Sequence, residues 1–326
     1  MTAPAGRSPA VVATATFFKT PVYGQNQAPS LGRVIGANDR INVAVIGIRG
    51  MGQTHIREYS QLKNVRVAAV CDVDKNLFEP RIKTLFTGRD LPPPKTYQDL
   101  RKLYEDKDID AVSVVVPNHW HALASIWAIQ AGKHVYIEKP AMHSLWEGNK
   151  MVEAARKYDK RVQVGLNNRS LAGVREAIQF LHEGGIGDVY MARGICYKSR
   201  DSYGMAKDST PPQNFHYDQW LGPAPYRPYN EKRSHYNFHW YWDTGNGDIG
   251  NTGPHQFDIA RWGLNKKENP VSVYSNGGLY GFSDHASDTP GVMVYGDVEQ
   301  YGHDKTSQET PNAQTAIVKY ADGKMI

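Results

Sequence analysis

Cysteine is almost absent: Cys71 and Cys196, the two in 326 residues, supply neither a disulfide framework nor the paired spacing of a metal-binding thiol site. Both are expected to be buried thiols. Long apolar runs are missing too. No segment reaches the ~20 residues that a membrane-crossing helix needs, so no membrane partner is expected. Nor is there a large surplus of one charge: 38 Lys and Arg against 33 Asp and Glu leave +5. Short clusters such as Lys266-Lys267, or Arg33 with Arg40, do not build the basic stripe that nucleic acid requires. What is present is a globular composition, 40% hydrophobic and 22% charged, in a chain long enough for two domains with their own cores.

Residues 1–40 are dominated by Ala, Thr, Pro, Ser and Gly, hold no acidic residue before Asp39, and carry a mildly apolar stretch from Ala10 to Phe18. Two readings stand side by side. One is an eroded export signal, which would place the protein in the periplasm or outside the cell; the other is a flexible N-terminal extension on a cytoplasmic protein. Paired arginines, a long apolar centre and a clear cleavage site are all missing. At the far end, Tyr320-Ala321-Asp322-Gly323-Lys324-Met325-Ile326 reads as a hairpin turn whose return strand has barely begun, the expectation for a shortened sequence.

The run Ile41-Asn42-Val43-Ala44-Val45-Ile46-Gly47-Ile48-Arg49-Gly50-Met51-Gly52 reads as a buried strand passing through a glycine-rich turn into a helix. Glycines let the backbone turn tightly, and the N–H groups and dipole at the following helix start favour anionic oxygen, so the turn suits a pyrophosphate. A second apolar strand runs from Val65 to Cys71 and ends in Asp72, 20 residues beyond Gly52, where an acid suits a ribose diol. That carboxylate would repel a 2′-phosphate, favouring NAD over NADP, although Arg49 or Lys75 would soften the preference. Arg49 stands where the G-x-G-x-x-G pattern has its second glycine.

From residue 41 strand and helix alternate: strands at 41–47, 65–72, 110–116, 134–138 and 161–166, helices at 52–62, 75–86, 96–105, 119–131 and 144–158. This predicts an α/β fold, a doubly wound parallel sheet within a domain of residues 41–167. Ligands on such sheets lie beyond the carboxyl ends of the strands, which selects Gly47–Gly52, Asp72, Pro117-Asn118-His119, Glu138-Lys139-Pro140 and Asn167-Asn168-Arg169. Residues 168–326 differ: a helix at 171–183, a strand at 189–198, then loops and strand-like runs at 271–276, 291–295 and 314–320. The expectation there is an α+β domain with a large, mostly antiparallel open sheet. Residues 215–242 hold thirteen aromatic or histidine side chains. They either pack on the sheet or a neighbouring subunit, the blander role for most, or line a cleft for a ligand with C–H faces and hydroxyls, as sugars have.

Lys139, at a strand's carboxyl end, is placed to bond a substrate oxygen and stabilise a developing alkoxide; the plainer alternative is a surface lysine paired with Glu138. His255 falls in the first turn of a helix starting near Pro254, whose positive end disfavours imidazolium and leaves a ring ready to accept a proton. A packing or capping histidine is the alternative. Asp258, one turn on, would orient the ring or anchor the helix. Asn251 can bond a hydroxyl but cannot exchange its proton. His119 and His121 diverge on a helix and no cysteine or carboxylate cluster joins them, so no metal is expected. Asn118 reads as the cap of that helix, His119 as facing nicotinamide or substrate, and Trp120 as core.

Taken together, the glycine turn, Pro117-Asn118-His119-Trp120-His121, Glu138-Lys139-Pro140, Val164–Ser170 and Gly247-Asp248-Ile249-Gly250-Asn251 through His255 and Asp258 resemble the Gfo/Idh/MocA oxidoreductase family over about residues 40–326. The resemblance implies a Rossmann domain followed by an open antiparallel sheet, with NAD(P) on the first and a carbohydrate or cyclitol between them. It implies homo-dimers or homo-tetramers through the sheet's outer face. Lys139 matches the lysine of the family's E-K-P motif and His255 its catalytic histidine. Cofactor contacts are implied at Gly47, Arg49, Gly50, Met51, Gly52, Asp72, Pro117, Asn118, His121, Glu138 and Lys139. Substrate contacts are implied at Asn168, Arg169, Asn251, His255, Trp240 and Tyr241. Asn251 stands where the family commonly has Asp, so His255 would work without that carboxylate or with Asp248 or Asp258 substituting. The Gly-Asn-Gly-Asp-Ile-Gly-Asn form is similar to a subgroup often found in exported bacterial proteins. The implied reaction is hydride transfer between a nicotinamide and a secondary alcohol. Its rivals are a glycosidase or lyase that oxidises the sugar transiently, and a sensor that keeps the dinucleotide without turnover.

Overall fold

A computed structural model describes residues 40–86, 92–198, 202–279 and 306–326. The strand-like run expected at 291–295 and residues 1–39 lie outside them. Strands β1 (Ile41–Ile46), β2 (Val65–Cys71), β3 (Lys95–Tyr97), β4 (Ala111–Val114), β5 (His134–Ile137) and β6 (Val162–Val164) form one parallel sheet in the order β3-β2-β1-β4-β5-β6. The period of two along β1 serves both faces. Val45 packs with Ile56, Val70 and Phe78 under helices α1 (Gly50–Tyr59) and α2 (Phe78–Phe86). Ala44 and Ile46 pack with Leu103, Val112, Ile129 and Ile137 under α3 (Leu100–Glu105), α4 (Asn118–Gln130) and α5 (Leu145–Lys157). The strand order reverses between β1 and β4, the place where such sheets open a crevice for ligands.

Two local expectations in this sheet are corrected. Residues 96–105 are not one helix: Lys95–Tyr97 pair with β2 as an edge strand, and α3 begins only after Asp99, whose side chain accepts from Arg101 N. Asn118 is not the cap of α4 but its first residue. Pro117 occupies the cap position, and the Asn118 amide is turned to Asn246 Oδ1 at 3.4 Å.

The second half contains α6 (Ala172–His182), α7 (Tyr217–Leu221), α8 (Gly247–Asn251), α9 (Gly253–Gly263), and the strands β7 (Ser272–Gly278) and β8 (Ala313–Lys319). Here the large open sheet is not found among the described residues. Among the described residues the antiparallel sheet has two strands, β7 and β8. The segment 189–198, expected as a strand, bridges only Met191 to Met325. Ala192 N donates to Met325 O and Met325 N to Tyr190 O, both at 3.0 Å, and beyond that bridge the segment passes close to α9, where a Cβ on Gly194 would stand 2.7 Å from Gln256 Cβ. Cys196 lies on it and is exposed, against expectation, while Cys71 is buried. The hairpin at the chain end does form, with Ile326 N donating to Val318 O at 2.9 Å.

The two halves meet over the crevice. Lys75 N donates to Asn214 O (3.0 Å) and His216 N to Val73 O (2.9 Å), while the Trp120 indole donates to Gln219 O and Trp220 O, both at 3.0 Å. Phe215, Tyr217, Trp220 and Leu221 bury together against Val73, Tyr229 and Phe238. Much of the aromatic stretch is therefore a clamp across the mouth of the sheet.

Candidate active site

Beneath that clamp lies a cavity of about 1000 Å³ along the carboxyl edge of the parallel sheet. Its floor is the glycine turn. Gly47 has φ of +83° and a Cβ there would stand 2.1 Å from Val115 O; at Gly52 it would stand 1.8 Å from Gly47 O. Neither position tolerates a side chain. Arg49, by contrast, precedes α1 with an extended backbone (φ −83°, ψ 176°) that any residue adopts. At Gly50, with φ of +33°, an added Cβ would meet nothing within 4 Å. The open backbone approach thus sits one residue later than the usual pattern puts it.

Asp72 stands at the end of β2, where Oδ2 accepts from Ile48 N (2.9 Å) and Oδ1 from Asp74 N (3.0 Å). Burial pushes its carboxyl up to about 6, against the pull of those two N–H groups. It lines the cavity with Gly47, Arg49, Gly50, Met51, Pro117, Asn118, His121 and Glu138. The cleared backbone, the helix start and the acid form a cradle that fits an adenine dinucleotide: pyrophosphate on the turn, ribose on Asp72. Gly52 is not a lining residue; its missing side chain lets α1 close on Gly47.

At the other end the halves contribute Lys139 and His255 to the same cavity. Lys139 Nζ donates to Asn251 O (2.9 Å) and to Asn251 Oδ1 (3.1 Å). Burial lowers its pKa, and the nearby Glu138 charge opposes that. Lys139 is half-buried and lines the cavity, with its Nζ turned to Asn251. The His255 pKa is lowered by burial and then by the Lys139 charge, which keeps the ring neutral near pH 7. Its Nδ1 is buried with no hydrogen-bond partner among the described residues. Asn251 spends its carbonyl groups on the lysine. Asp258 anchors α9: both its oxygens accept from Arg169, at 2.7 and 2.9 Å.

Four expected substrate contacts sit elsewhere. Asn168 and Arg169 do not line the cavity; Asn167 does, and Arg169 is held by Asp258 and by the Trp262 ring 4.8 Å away. Trp240 and Tyr241 are buried away from it, Tyr241 bonded to Ser307 Oγ at 2.6 Å, while Tyr236, Phe238 and His239 face it. His119 does not line it either: both ring nitrogens lie on carbonyls, Trp220 O at 3.0 Å and Thr244 O at 3.3 Å. Trp120 lines the cavity. Among the described residues no group of three His, Cys, Asp or Glu side chains is arranged to hold a metal.

Sequence reading missed the wall formed by Gln98, Asp99 and Arg101. These residues follow an edge strand, so recognising β3 would have selected them by the strand-end rule. It also missed Asp218 and Gln219, which reach the cavity only because the clamp folds across. No local signal marks them.

Comparison with known proteins agrees with this geometry. Residues 41–166 match the oxidoreductase family Gfo/Idh/MocA, NAD-binding Rossmann fold, and residues 198–280 match its C-terminal alpha/beta domain. A glycosyl hydrolase family 109 protein of Shewanella pealeana is 30% identical over 134 residues, 40% of this chain and 29% of that protein. Inositol 2-dehydrogenase of Salmonella typhimurium is 28% identical over 162 residues, 49% of this chain and 46% of the enzyme. The matches thus span less than half the length of these relatives. In fold, the chain is similar to the WlbA dehydrogenase of Chromobacterium violaceum, solved with NADH and UDP-GlcNAcA: TM-score 0.61, 19% identity, 91% of this chain and 68% of that one. With six parallel strands, a glycine cradle and two matched segments that together cover more than half of its length, the chain belongs to the Gfo/Idh/MocA family of NAD-binding oxidoreductases.

Proposed function

We propose that the protein is an NAD-dependent dehydrogenase acting on a secondary alcohol of a sugar, cyclitol or glycoside. One observation carries the reading: Lys139 and His255, from separate halves of the chain, line one cavity with the dinucleotide cradle. His255, kept neutral by burial and the Lys139 charge, takes the proton of the substrate hydroxyl. Lys139, steered by the two Asn251 oxygens, donates to the same substrate oxygen and stabilises its developing charge. Bound NAD supplies the hydride acceptor. The clamp excludes water and, with Asp72 and the glycine turn, sets the orientation of the bound pair. Asp72 favours NAD over NADP, because a 2′-phosphate would face its carboxylate.

Lys139→Ala and His255→Ala are each expected to lower kcat by roughly 10²- to 10⁴-fold while NAD affinity, followed by calorimetry, is retained. Normal hydride transfer in both variants would sink the assignment. The similarity to glycosyl hydrolase family 109 proteins favours a second reading, glycoside cleavage through transient oxidation. Net NADH formation distinguishes the dehydrogenase; aglycone release without net cofactor turnover supports the hydrolase. The ribbon presents Tyr274 and its cross-strand partner Ile317 to solvent, which supports association into a homo-dimer or homo-tetramer. Light scattering on wild type and Tyr274→Glu checks it, and a monomer in both would refute it.

A further inference from the structure

We infer that His55 is a positioning residue: through a buried chain Ser113–His55–Glu138 it holds the Glu138 carboxylate ionised and fixed beside Lys139. It thereby links the helix behind the glycine turn to the reacting end of the cavity. The inference rests on the role proposed above for Lys139.

His55 projects from α1 and is 7% exposed. Its Nδ1 lies 2.7 Å from Ser113 Oγ and its Nε2 3.0 Å from Glu138 Oε1, and the Tyr59 hydroxyl donates to Ser113 Oγ at 3.4 Å. A neutral imidazole satisfies every slot: Tyr59 donates to Ser113, Ser113 donates to Nδ1, and Nε2–H donates to the carboxylate. The constellation has the composition of a hydrolytic Ser-His-acid triad, but it runs the wrong way for one. Ser113 is fully buried in β4 and does not line the cavity; Glu138 does. The imidazole therefore acts on the carboxylate end.

Glu138 is confined from other sides as well. Oε2 accepts from Lys139 N at 3.3 Å, and a Cβ on Gly165 would stand 2.9 Å from Oε1. Burial alone would raise the Glu138 pKa; the His55 hydrogen bond and then the Lys139 charge oppose this, and the pKa is lowered. The other titratable groups near it are Tyr59 from α1, His121 from α4, Tyr136 from β5 and His255 from α9. Without the His55 donor, Glu138 takes up a proton at higher pH. Lys139, whose pKa burial already depresses, then loses the carboxylate that favours its charged form.

The test compares His55→Phe with His55→Gln, whose amide can still donate to Glu138. The titration of Glu138 is followed by carbon-13 NMR of glutamate-labelled protein, assigned with Glu138→Gln, and kcat and KM are measured against pH. In His55→Phe the Glu138 titration and the acid limb of kcat are expected to move up by at least about one unit, a factor of ten, with NAD affinity unchanged. His55→Gln is expected to restore both. Should His55→Phe not fold, His55→Asn takes its place with the same two readouts. An unmoved Glu138 titration in the folded variant overturns the inference. The NMR arm needs no turnover, so absent hydride transfer in the wild type would count against the proposed reaction without deciding the role of His55.

Discussion

The parallel sheet and the region after residue 168 are built by different means. In the sheet, every side chain of β1 from Val43 to Ile46 is buried, and each strand's neighbours are set by main-chain ladders. In the second half the described antiparallel pairing is one two-stranded ribbon, and position is set largely by side chains. Arg169 grips Asp258, Arg227 bridges Asp243 and Glu309, and aromatic rings pack against one another within the clamp. The dinucleotide cradle belongs to the first region and tolerates almost no variation in shape. The substrate site proposed above falls where the second region leans over it, so that region can change its side chains without changing the sheet.

The sharpest way to break this contrast is to add one methyl group to the rigid part. Gly52→Ala and Gly47→Ala each place a Cβ about 2 Å from a carbonyl oxygen. Each is expected to cost on the order of 3 kcal/mol or more and to abolish NAD binding, read by urea unfolding and calorimetry. Gly50→Ala, in open space, is expected to cost only about 1 kcal/mol. Equal losses at Gly52 and Gly50 would contradict the proposed cradle.

The clamp offers the next largest effect. Phe215→Ala removes a buried ring that joins the clamp to Val73 and is expected to cost about 3 kcal/mol, with faster release of NADH in stopped-flow fluorescence. A smaller effect is expected from pH. The Asp72 carboxyl, raised to about 6 by burial, bonds a ribose diol best when ionised. NAD affinity should therefore fall as pH drops through that value and level off above it, and Asp72→Asn should flatten the dependence in a calorimetric titration. The smallest is Arg169→Ala. Because Arg169 is nearly half exposed, solvent screening leaves its pair with Asp258 about 0.5–1 kcal/mol, measurable by a double-mutant cycle.

The legibility of the two regions in the sequence follows the same division. The strands of the sheet, the glycine turn, Asp72 and Lys139 were readable because apolar runs, glycine spacing and strand ends are local patterns. The short edge strand β3 was hidden by the three residues it spans before Asp99 starts α3. Asn168, Arg169, Trp240 and Tyr241 fell in the right segments, yet the cavity is lined by neighbours such as Asn167 and His239. A segment can be located by pattern, but which of its side chains turns inward depends on distant packing.

From the sequence alone came the strands of the parallel sheet, the glycine turn, Asp72 and Lys139, because each is marked by an apolar strand or the residues just after one. Only the tertiary structure brought His255 into the cavity that Lys139 lines, turned Glu138 toward His55 and laid residues 213–222 across the crevice. Those juxtapositions join residues 83 or more positions apart, and no local periodicity encodes which distant side chains will meet.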